Sequence, residues 1–302
     1  MVGREPMGHE MLVVGQVARD LVQAIDQMPQ PQGSAAVSQR HEMLGGKGAN
    51  QAVGLRQLGG RVALLGVVGA DLVGEQLLAA ARADELGTEA VRRRGTTALL
   101  LDLVDRAGTR RLIEHVPTET LLTAADVRAA RNVIDRADTV CLQLQQPAGA
   151  LTEAARIART SGARIVLDGA ADTARLRELL AQAWVVRADA HETELMTGIA
   201  PDDERSGLSA ARGLLAQGAR VAAVGVDGVG DLVAWAGGHR LLPFRTDRVR
   251  DTTGGGDAFL AGLVTGLRAG ASPEAAGGLA ADCSAATVQR LGGRPDLSVL
   301  RS

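Results

Sequence analysis

The chain has 302 residues, a formal net charge of −2 and a hydrophobic fraction of 46%. This length is enough for one large α/β domain or two smaller ones with a sizeable core. The nearly balanced charge excludes the strongly basic surface that is typical of nucleic-acid-binding proteins, so we expect no nucleic-acid partner.

The ends and cysteines of the chain indicate its compartment. The first ten residues are polar and charged, unlike a secretory signal peptide. No uninterrupted apolar run approaches the length that spans a membrane. Cys141 and Cys283 sit in apolar stretches without metal-ligand spacing, which is typical of buried free thiols in a reducing compartment. We therefore expect a cytoplasmic protein with no membrane partner.

Short apolar runs alternate with longer helical patterns, which predicts an α/β fold with a parallel sheet flanked by helices. The predicted strands cover residues 11–15, 62–67, 139–144, 164–167, 184–186 and 220–224. The predicted helices cover residues 47–58, 71–86, 124–137, 147–160, 206–217, 255–269 and 273–290. No repeat or linker divides the chain, so we predict a single domain over residues 1–302.

Two segments interrupt this alternation. Residues 17–44 are polar and contain Pro29 and Pro31. Residues 96–116 contain two apolar stretches separated by residues 105–109, a hairpin signal. Both segments follow core strands whose ends should line a cleft, although ordinary surface excursions are the alternative.

A first glycine cluster opens the predicted helix at 47–58. Its sequence is Gly45-Gly46-Lys47-Gly48-Ala49-Asn50-Gln51-Ala52. Lys47 and Asn50 are three residues apart and share a face near the helix start. An amine, a carboxamide and an accessible backbone can all hydrogen-bond a polyhydroxylated ligand. A solvated helix start with an exposed lysine is the alternative.

A second cluster, at residues 251–259, is the most informative motif. Gly254, Gly255 and Gly256 precede Asp257 and the predicted helix at 255–269. Glycines let several N–H groups point at one spot, and a helix start adds unpaired amides and the positive end of its dipole. An anion site beside a candidate base is what phosphoryl transfer to a hydroxyl requires. The alternative is a glycine-rich turn with Asp257 as a helix N-cap.

Together the two clusters resemble the signatures of the ribokinase-like (PfkB) sugar kinases, in particular the ribokinase branch. Further matches occur in family order at Val13-Val14-Gly15 with Asp20, at residues 69–74, at residues 189–192 with 195–198, and at residues 223–228. The resemblance extends from about residue 11 to about residue 296. It implies a three-layer α/β/α fold with a mainly parallel central sheet and a small β lid formed by segments 17–44 and 96–116. In this family the exposed face of the lid often pairs with a second subunit, so the resemblance implies a homodimer through the lid.

The resemblance implies an ATP-dependent kinase that phosphorylates a hydroxyl of a small unphosphorylated sugar, with ribose as the leading candidate. Asp257 would be the catalytic base, and the amides of Gly254, Gly255 and Gly256 would stabilise the transferred phosphoryl group. The implied sugar-binding residues are Asp20, Gly46, Lys47, Asn50, Gln145 and Asp257. The implied nucleotide-binding residues are Asp189, Ala223, Gly225, Gly228, Gly254 and Gly256. Glu192 would organise Mg²⁺ through water, and Asp251 and Thr253 would belong to a site for K⁺ as an activator.

Three positions differ from the family pattern and leave the substrate open. Asp189 replaces the usual Asn, Ala223 replaces a frequent Thr, and Gln145 stands where ribokinases commonly carry a sugar-contacting Glu. A kinase of a ketohexose, a sugar phosphate or a nucleoside is the alternative, as is a catalytically silent sugar-binding regulatory protein of the same fold. The lid segments contain no aromatic residue on which a nucleoside base could stack. Asp20 would also place a negative charge where a sugar phosphate needs cations.

Overall fold

The computed structural model describes residues 11–171 and 173–300. The first ten residues, on which the expectation of no signal peptide depends, lie outside the described residues. Among the described helices, none combines the length and apolarity that a membrane crossing demands.

Eight strands in the described part of the chain form the central sheet, in the order β14-β13-β12-β11-β10-β9-β1-β4. They are β1 Met11–Val14, β4 Val62–Leu65, β9 Thr139–Gln143, β10 Arg164–Asp168, β11 Ala183–Ala188, β12 Val221–Val226, β13 Gly230–Trp235 and β14 Gly238–Pro243. The strands from β4 to β12 in this order run parallel, and β13 and β14 are antiparallel additions at one edge. Their near-continuous Val, Leu and Ala runs fit a sheet that is covered on both faces.

Helices cover both faces of this sheet. They are α1 Lys47–Gln57, α2 Leu72–Ala83, α3 Ala124–Ala129, α4 Arg131–Ile134, α5 Ala148–Thr160, α6 Thr173–Leu180, α7 Ala190–Thr197, α8 Glu204–Ala216, α9 Gly255–Arg268 and α10 Pro273–Val288. Successive side chains of a strand point to opposite faces, and accordingly Leu12 and Val14 enter one hydrophobic cluster while Met11 and Val13 enter the other. The first cluster includes residues of α3 to α8, and the second includes residues of α1, α2, α9 and α10. The predicted three-layer α/β/α fold is confirmed.

A second sheet, which we call the lid sheet, has four strands within the described residues. They are β2 Ala18–Ile25, β3 Val37–Gly45, β7 Leu99–Val104 and β8 Arg110–His115, in the order β3-β2-β7-β8. The two predicted excursions therefore belong to one sheet, because β2 pairs in parallel with β7. A further short pair joins β5 Val67–Val68 to β6 Arg92–Arg93.

Several predicted boundaries need correction. The helix predicted over residues 124–137 is two short helices, since the backbone at Ala130 leaves the helical region with φ −94° and ψ 7°. The predicted strand at 62–67 ends at Leu65, and Gly66 separates it from β5. The elements α6, α7, β13 and β14 were not predicted as helices or strands.

Helices α9 and α10 pack unusually closely. A Cβ atom on Gly262 would lie 2.7 Å from the Cα of Ala280, and one on Gly266 would lie 2.9 Å from the Cα of Ala276. Only glycine permits this approach at these two positions. The start of α9 and the end of α10 are thereby fixed relative to each other.

Candidate active site

Two adjoining cavities lie at the carboxyl ends of the parallel strands, the usual place for ligands in open α/β sheets. The first, which we call the lid cavity, has a volume of about 650 Å³ and lies under the lid sheet. The second, which we call the α10 cavity, has a volume of about 450 Å³ and is lined partly by α10 and the β12–β13 turn. Their shared lining residues are Arg187, Asp189, Thr252 and Gly256.

All residues predicted to bind the sugar line the lid cavity, although they come from distant parts of the chain. They are Asp20, Gly46, Lys47, Asn50, Gln145 and Asp257. Gly46, with φ +83°, begins α1 and donates its N–H to Asp20 Oδ1 at 3.2 Å. Burial, helped by the charge of Asp102, raises the pKa of Asp20 to about 7, against the opposing Gly46 hydrogen bond.

The second glycine cluster forms the start of α9. Gly254 is the N-cap, with φ +74°, and no side chain caps this helix. A Cβ atom on Gly254 would lie 2.0 Å from the carbonyl oxygen of Gly293, and one on Gly256 would lie 2.3 Å from Arg187 Nη2. Gly254 is required because the contacted atom is backbone, whereas a side chain at position 256 would displace the guanidinium of Arg187. Asp257 lies inside the first turn, so its alternative role as the N-cap is wrong.

Asp257 is a buried carboxylate, 5% exposed, at the boundary of the lid cavity. Its Oδ1 accepts a hydrogen bond from Gln51 Nε2 at 3.0 Å, and its Oδ2 accepts one from Asn50 Nδ2 at 3.4 Å. Burial and the charge of Asp168 raise the pKa of Asp257 to about 6, while Lys47 opposes this shift. The carboxylate is therefore ionised at neutral pH and more basic than an exposed aspartate.

Lys47 is held beside the lid cavity by two carboxylates. Its Nζ donates to Glu192 Oε1 at 2.7 Å and lies 3.9 Å from Asp168 Oδ2. Gln145 Nε2 donates to the same Glu192 oxygen at 3.1 Å. Burial would lower the pKa of Lys47, but Asp168 and Glu192 more than offset burial and raise it. Lys47 therefore stays positively charged in the cavity wall.

The sequence reasoning missed two charged residues next to Lys47: Asp168, which lies behind the cavity wall, and Arg187, which lines both cavities. Asp168 ends β10 and is 1% exposed, and Arg187 lies near the end of β11 and is 7% exposed. Arg187 Nη1 donates to Asp168 Oδ1 at 3.4 Å, and Arg187 Nε is buried without a partner in the described residues. The sequence did carry a signal for Asp168 and Arg187, because each of them follows a run of apolar residues that forms a buried strand.

Comparison with known proteins identifies the family. Residues 9–299 match the pfkB family of carbohydrate kinases. The chain belongs to this family. It is therefore an ATP-dependent carbohydrate kinase with a ribokinase-like fold.

Individual relatives agree with this assignment. Ribokinase from Haemophilus influenzae is 27% identical over 264 residues, which cover 86% of this kinase and 86% of that protein. A solved structure of Arabidopsis thaliana ribokinase with ribose and ATP has a TM-score of 0.78 and 23% identity, covering 97% of this kinase and 98% of that chain. A structure of adenosine kinase from Sinorhizobium meliloti has the same TM-score, identity and coverage. These two structural likenesses show the fold alone.

The residues predicted to bind the nucleotide divide into three groups in this kinase. Those that line the α10 cavity are Asp189, Gly225, Gly228 and Gly256. Gly225 lets β12 approach α7, because a Cβ atom there would lie 3.0 Å from the N atom of Ala190. Gly254 lines the lid cavity instead. Ala223 lines neither cavity, since it is 1% exposed and packs in the hydrophobic cluster that contains α9 and α10.

Glu192, which was predicted to organise Mg²⁺, also has a structural task together with Asp189. Asp189 and Glu192 form a capping box at the start of α7, in which each side chain accepts a hydrogen bond from the other residue's N–H. Both oxygens of Glu192 are engaged, by Lys47 and Gln145 on Oε1 and by the Asp189 N–H on Oε2. In the described ranges no three His, Cys, Asp or Glu side chains form a metal cage. The arrangement fits Mg²⁺ held through water by these carboxylates together with nucleotide phosphates.

The loop that contains Asp251 and Thr253, which were predicted to bind K⁺, is hydrogen-bonded to the loop that follows α10. Asp251 is fully buried and accepts hydrogen bonds from the N–H and the hydroxyl of Thr253, at 2.9 and 2.6 Å. Its second oxygen accepts the N–H of Gly292 at 2.8 Å. The Asp251 carboxylate therefore connects the two loops that flank the start of α9.

Proposed function

We propose that this kinase transfers the γ-phosphoryl group of ATP to a hydroxyl of a small unphosphorylated sugar, with ribose as the leading candidate. The observation that carries the proposal is the position of Gly256, which lines both cavities, directly before Asp257, which lines the lid cavity. The sugar occupies the lid cavity, and the nucleotide occupies the α10 cavity. The Haemophilus relative, a ribokinase, supports ribose as the first sugar to test.

In this mechanism Asp257 acts as the general base. The sugar oxygen forms a bond to the γ-phosphorus as the bond to the ADP oxygen breaks, and the hydroxyl proton passes to Asp257. The free amides of Gly256 and Asp257 at the start of α9 stabilise the negative charge on the transferred group. Asp189 and Glu192 would hold Mg²⁺ through water, and the ion would neutralise negative charge on the nucleotide phosphates.

Arg187 adds a permanent positive charge at the junction of the cavities. Its guanidinium lies against Gly256, so it faces the same space as the α9 amides. The single hydrogen bond to Asp168 uses one of five N–H donors. We assign to Arg187 a contact with the transferred phosphoryl group, which needs this kind of electrostatic stabilisation.

The lining of the lid cavity supports a neutral, non-nucleoside acceptor. Within the part of the chain that the structure describes, no aromatic side chain lines this cavity. Asp20, Asp102 and Glu114 give its lid side a negative character that Arg110 only partly balances. A sugar phosphate would be repelled by these carboxylates, and a nucleoside base would lack a stacking partner.

A substrate panel tests the proposal. ADP release would be measured with ribose, other pentoses, ketohexoses, fructose 6-phosphate and adenosine, with Asp257→Asn as the matched background. We expect the highest kcat/KM with an unphosphorylated sugar. A highest value with adenosine or fructose 6-phosphate would overturn the substrate class. The absence of sugar-dependent ADP release would instead favour the silent sugar-binding alternative.

We further propose a homodimer through the lid sheet. The lid strands β3 and β8 are mostly exposed, and Val37 and Ile113 are 44% and 57% exposed. Val37 and Ile113 lie on the two edge strands of the lid sheet, and exposed apolar side chains on edge strands support a subunit contact. Light scattering should give twice the chain mass for the native protein and the single-chain mass for Ile113→Lys. A native protein of single-chain mass would contradict the proposal.

A further inference from the structure

Asp257 is connected to a second buried carboxylate that neither cavity reaches. Gln51, on α1, is fully buried, and its Nε2 donates to Asp257 Oδ1 at 3.0 Å and to Asp168 Oδ2 at 2.9 Å. One amide nitrogen carries two hydrogens, so both are used by these two bonds. Neither Gln51 nor Asp168 lines the lid cavity or the α10 cavity. Gln51 therefore acts on a substrate through Asp257, whereas Asp168 also contacts Lys47 and Arg187, which line the lid cavity.

The far end of this connection is also fixed. Asp168 receives Arg187 Nη1 at 3.4 Å and lies 3.9 Å from Lys47 Nζ. Arg187 of β11 and Lys47 of α1 therefore fix the Asp168 carboxylate, which in turn accepts the hydrogen bond from Gln51. Since Gln51 occupies Asp257 Oδ1, the other oxygen, Oδ2, is the one beside Asn50 of the lid cavity.

We propose that Gln51 and Asp168 are positioning residues for phosphoryl transfer. Gln51 orients the Asp257 carboxylate so that Oδ2 faces the acceptor hydroxyl, and the negative charge of Asp168 keeps that carboxylate a stronger base. The inference rests on the proposed role of Asp257 as the general base.

The charges around Asp257 determine whether Asp168 raises or lowers the pKa of Asp257. The groups that face it are Asp20 from β2, Lys47 from α1, Asp168 from β10 and Arg187 from β11, with Glu192 of α7 beyond Lys47. After burial, Asp168 is the main group that raises the pKa of Asp257, whereas Lys47, Gln51 and Arg187 lower it. Removing the Asp168 charge therefore lowers the pKa of Asp257 and weakens it as a base.

Two variants separate orientation from charge. In Asp168→Asn the side-chain oxygen can still accept from Gln51, so the charge and the hydrogen bond from Arg187 are lost while the Gln51 bond is kept. We expect the acid limb of the kcat/KM profile to move to lower pH, on the order of one pH unit. Gln51→Leu removes both hydrogen bonds at similar size, and we expect kcat to fall by about 10- to 100-fold with a small change in sugar KM.

Asp126→Asn is the matched control. Asp126 also pairs with an arginine, Arg94, but lines neither cavity. Its loss should lower the melting temperature and leave the pH profile unchanged. If Asp168→Asn fails to fold, Asp168→Ser removes the same charge. An unshifted acid limb in a folded Asp168 variant, or unchanged kcat in folded Gln51→Leu, would overturn the inference.

A titration without turnover separates this inference from the proposed function. The ¹³C carboxyl resonance of Asp257 in the ligand-free protein is assigned by its absence in Asp257→Asn. Asp168→Asn should lower the titration midpoint of that resonance. A lowered midpoint in a protein that phosphorylates no sugar would refute the proposed function and leave the Asp168 effect standing. An unchanged midpoint would refute the Asp168 effect itself.

Discussion

At the residue scale the proposed chemistry depends on Asp257, a carboxylate that is almost completely buried yet opens onto the lid cavity. Replacing it with Asn preserves its size and removes its basicity. We expect Asp257→Asn to lower kcat by about two to four orders of magnitude, the usual contribution of a positioned acid–base group. Sugar affinity, measured by calorimetry, should change far less. Near-normal turnover by the folded variant would remove Asp257 from the role of base.

Arg187 gives a second prediction at this scale. Arg187→Met keeps most of the side-chain length and removes the charge beside Gly256. We expect kcat to fall by about 10²- to 10³-fold, as for the loss of one transition-state donor. Calorimetry should also show that the variant loses the preference of the native protein for ATP over ADP. Arg94→Met, which breaks a comparable ion pair away from both cavities, should retain that preference; equal effects of both changes would contradict the assignment.

The candidate site was only partly predictable from single residues. The two glycine clusters could be recognised because close backbone approaches demand glycine within a short stretch of sequence. Gln51, Asp168 and Arg187 were missed because their importance arises from contacts between separate elements. Gln51 is 117 positions from Asp168 and 206 from Asp257 along the chain. Only the packing of α1 between their elements brings these groups together.

At the scale of elements, the loops on either side of α9 suggest how a monovalent cation would act. Residues 251–253 and 287–296 are connected through the Asp251 carboxylate. A K⁺ ion bound between them would order the start of α9 without touching the substrates. We expect higher kcat in K⁺ than in tetramethylammonium at equal ionic strength. Equal activity in both salts would count against this site.

Prediction of the elements was most successful for buried parallel strands and long helices. It failed for α7, because residues 189–192 were interpreted as a metal motif although the same residues are an Asp–Glu capping box. It also failed for β13 and β14, whose antiparallel pairing at one edge breaks the alternation of strands and helices. For α7 and for the pair β13 and β14 the local sequence carried a pattern for the element, but we interpreted the segment in a different way.

At the scale of the whole molecule, buried carboxylates make stability depend on pH. The pKa of Asp20 is raised to about 7 and that of Asp257 to about 6, mainly by burial. An unfolded aspartate has a pKa of about 3.9, so the folded protein binds more protons between pH 4 and 7. The contribution of these groups to the free energy of unfolding is present below pH 4 and is lost as the pH rises through 6 and 7.

We therefore expect the ligand-free protein to have a smaller free energy of unfolding at pH 8 than at pH 5.5. Urea unfolding at both pH values would measure the difference. Asp20→Asn should reduce it, because an amide does not titrate. A free energy of unfolding that rises from pH 5.5 to pH 8 would contradict this account.

The three-layer arrangement was predictable because buried strands and amphipathic helices alternate over most of the chain. The lid sheet was not predictable in detail, since the hairpin signal indicates only the pairing of β7 with β8. The parallel pairing of β2 with β7 joins segments about 80 residues apart (Arg19 with Leu99, for example). That the whole of residues 1–302 forms a single domain stays a prediction.

The close contact of α9 with α10 has a mechanical consequence. Interiors packed without gaps deform little, so helices that touch at Gly262 and Gly266 shift as one body. That body carries the glycine turn at the start of α9 and, at the same end, the loop after α10 that is joined to Asp251. We therefore expect the chain to bend, when a sugar enters, at the points where the lid sheet joins the central sheet. The residues proposed to bind the phosphoryl group therefore stay in place, and the lid sheet is the part that moves.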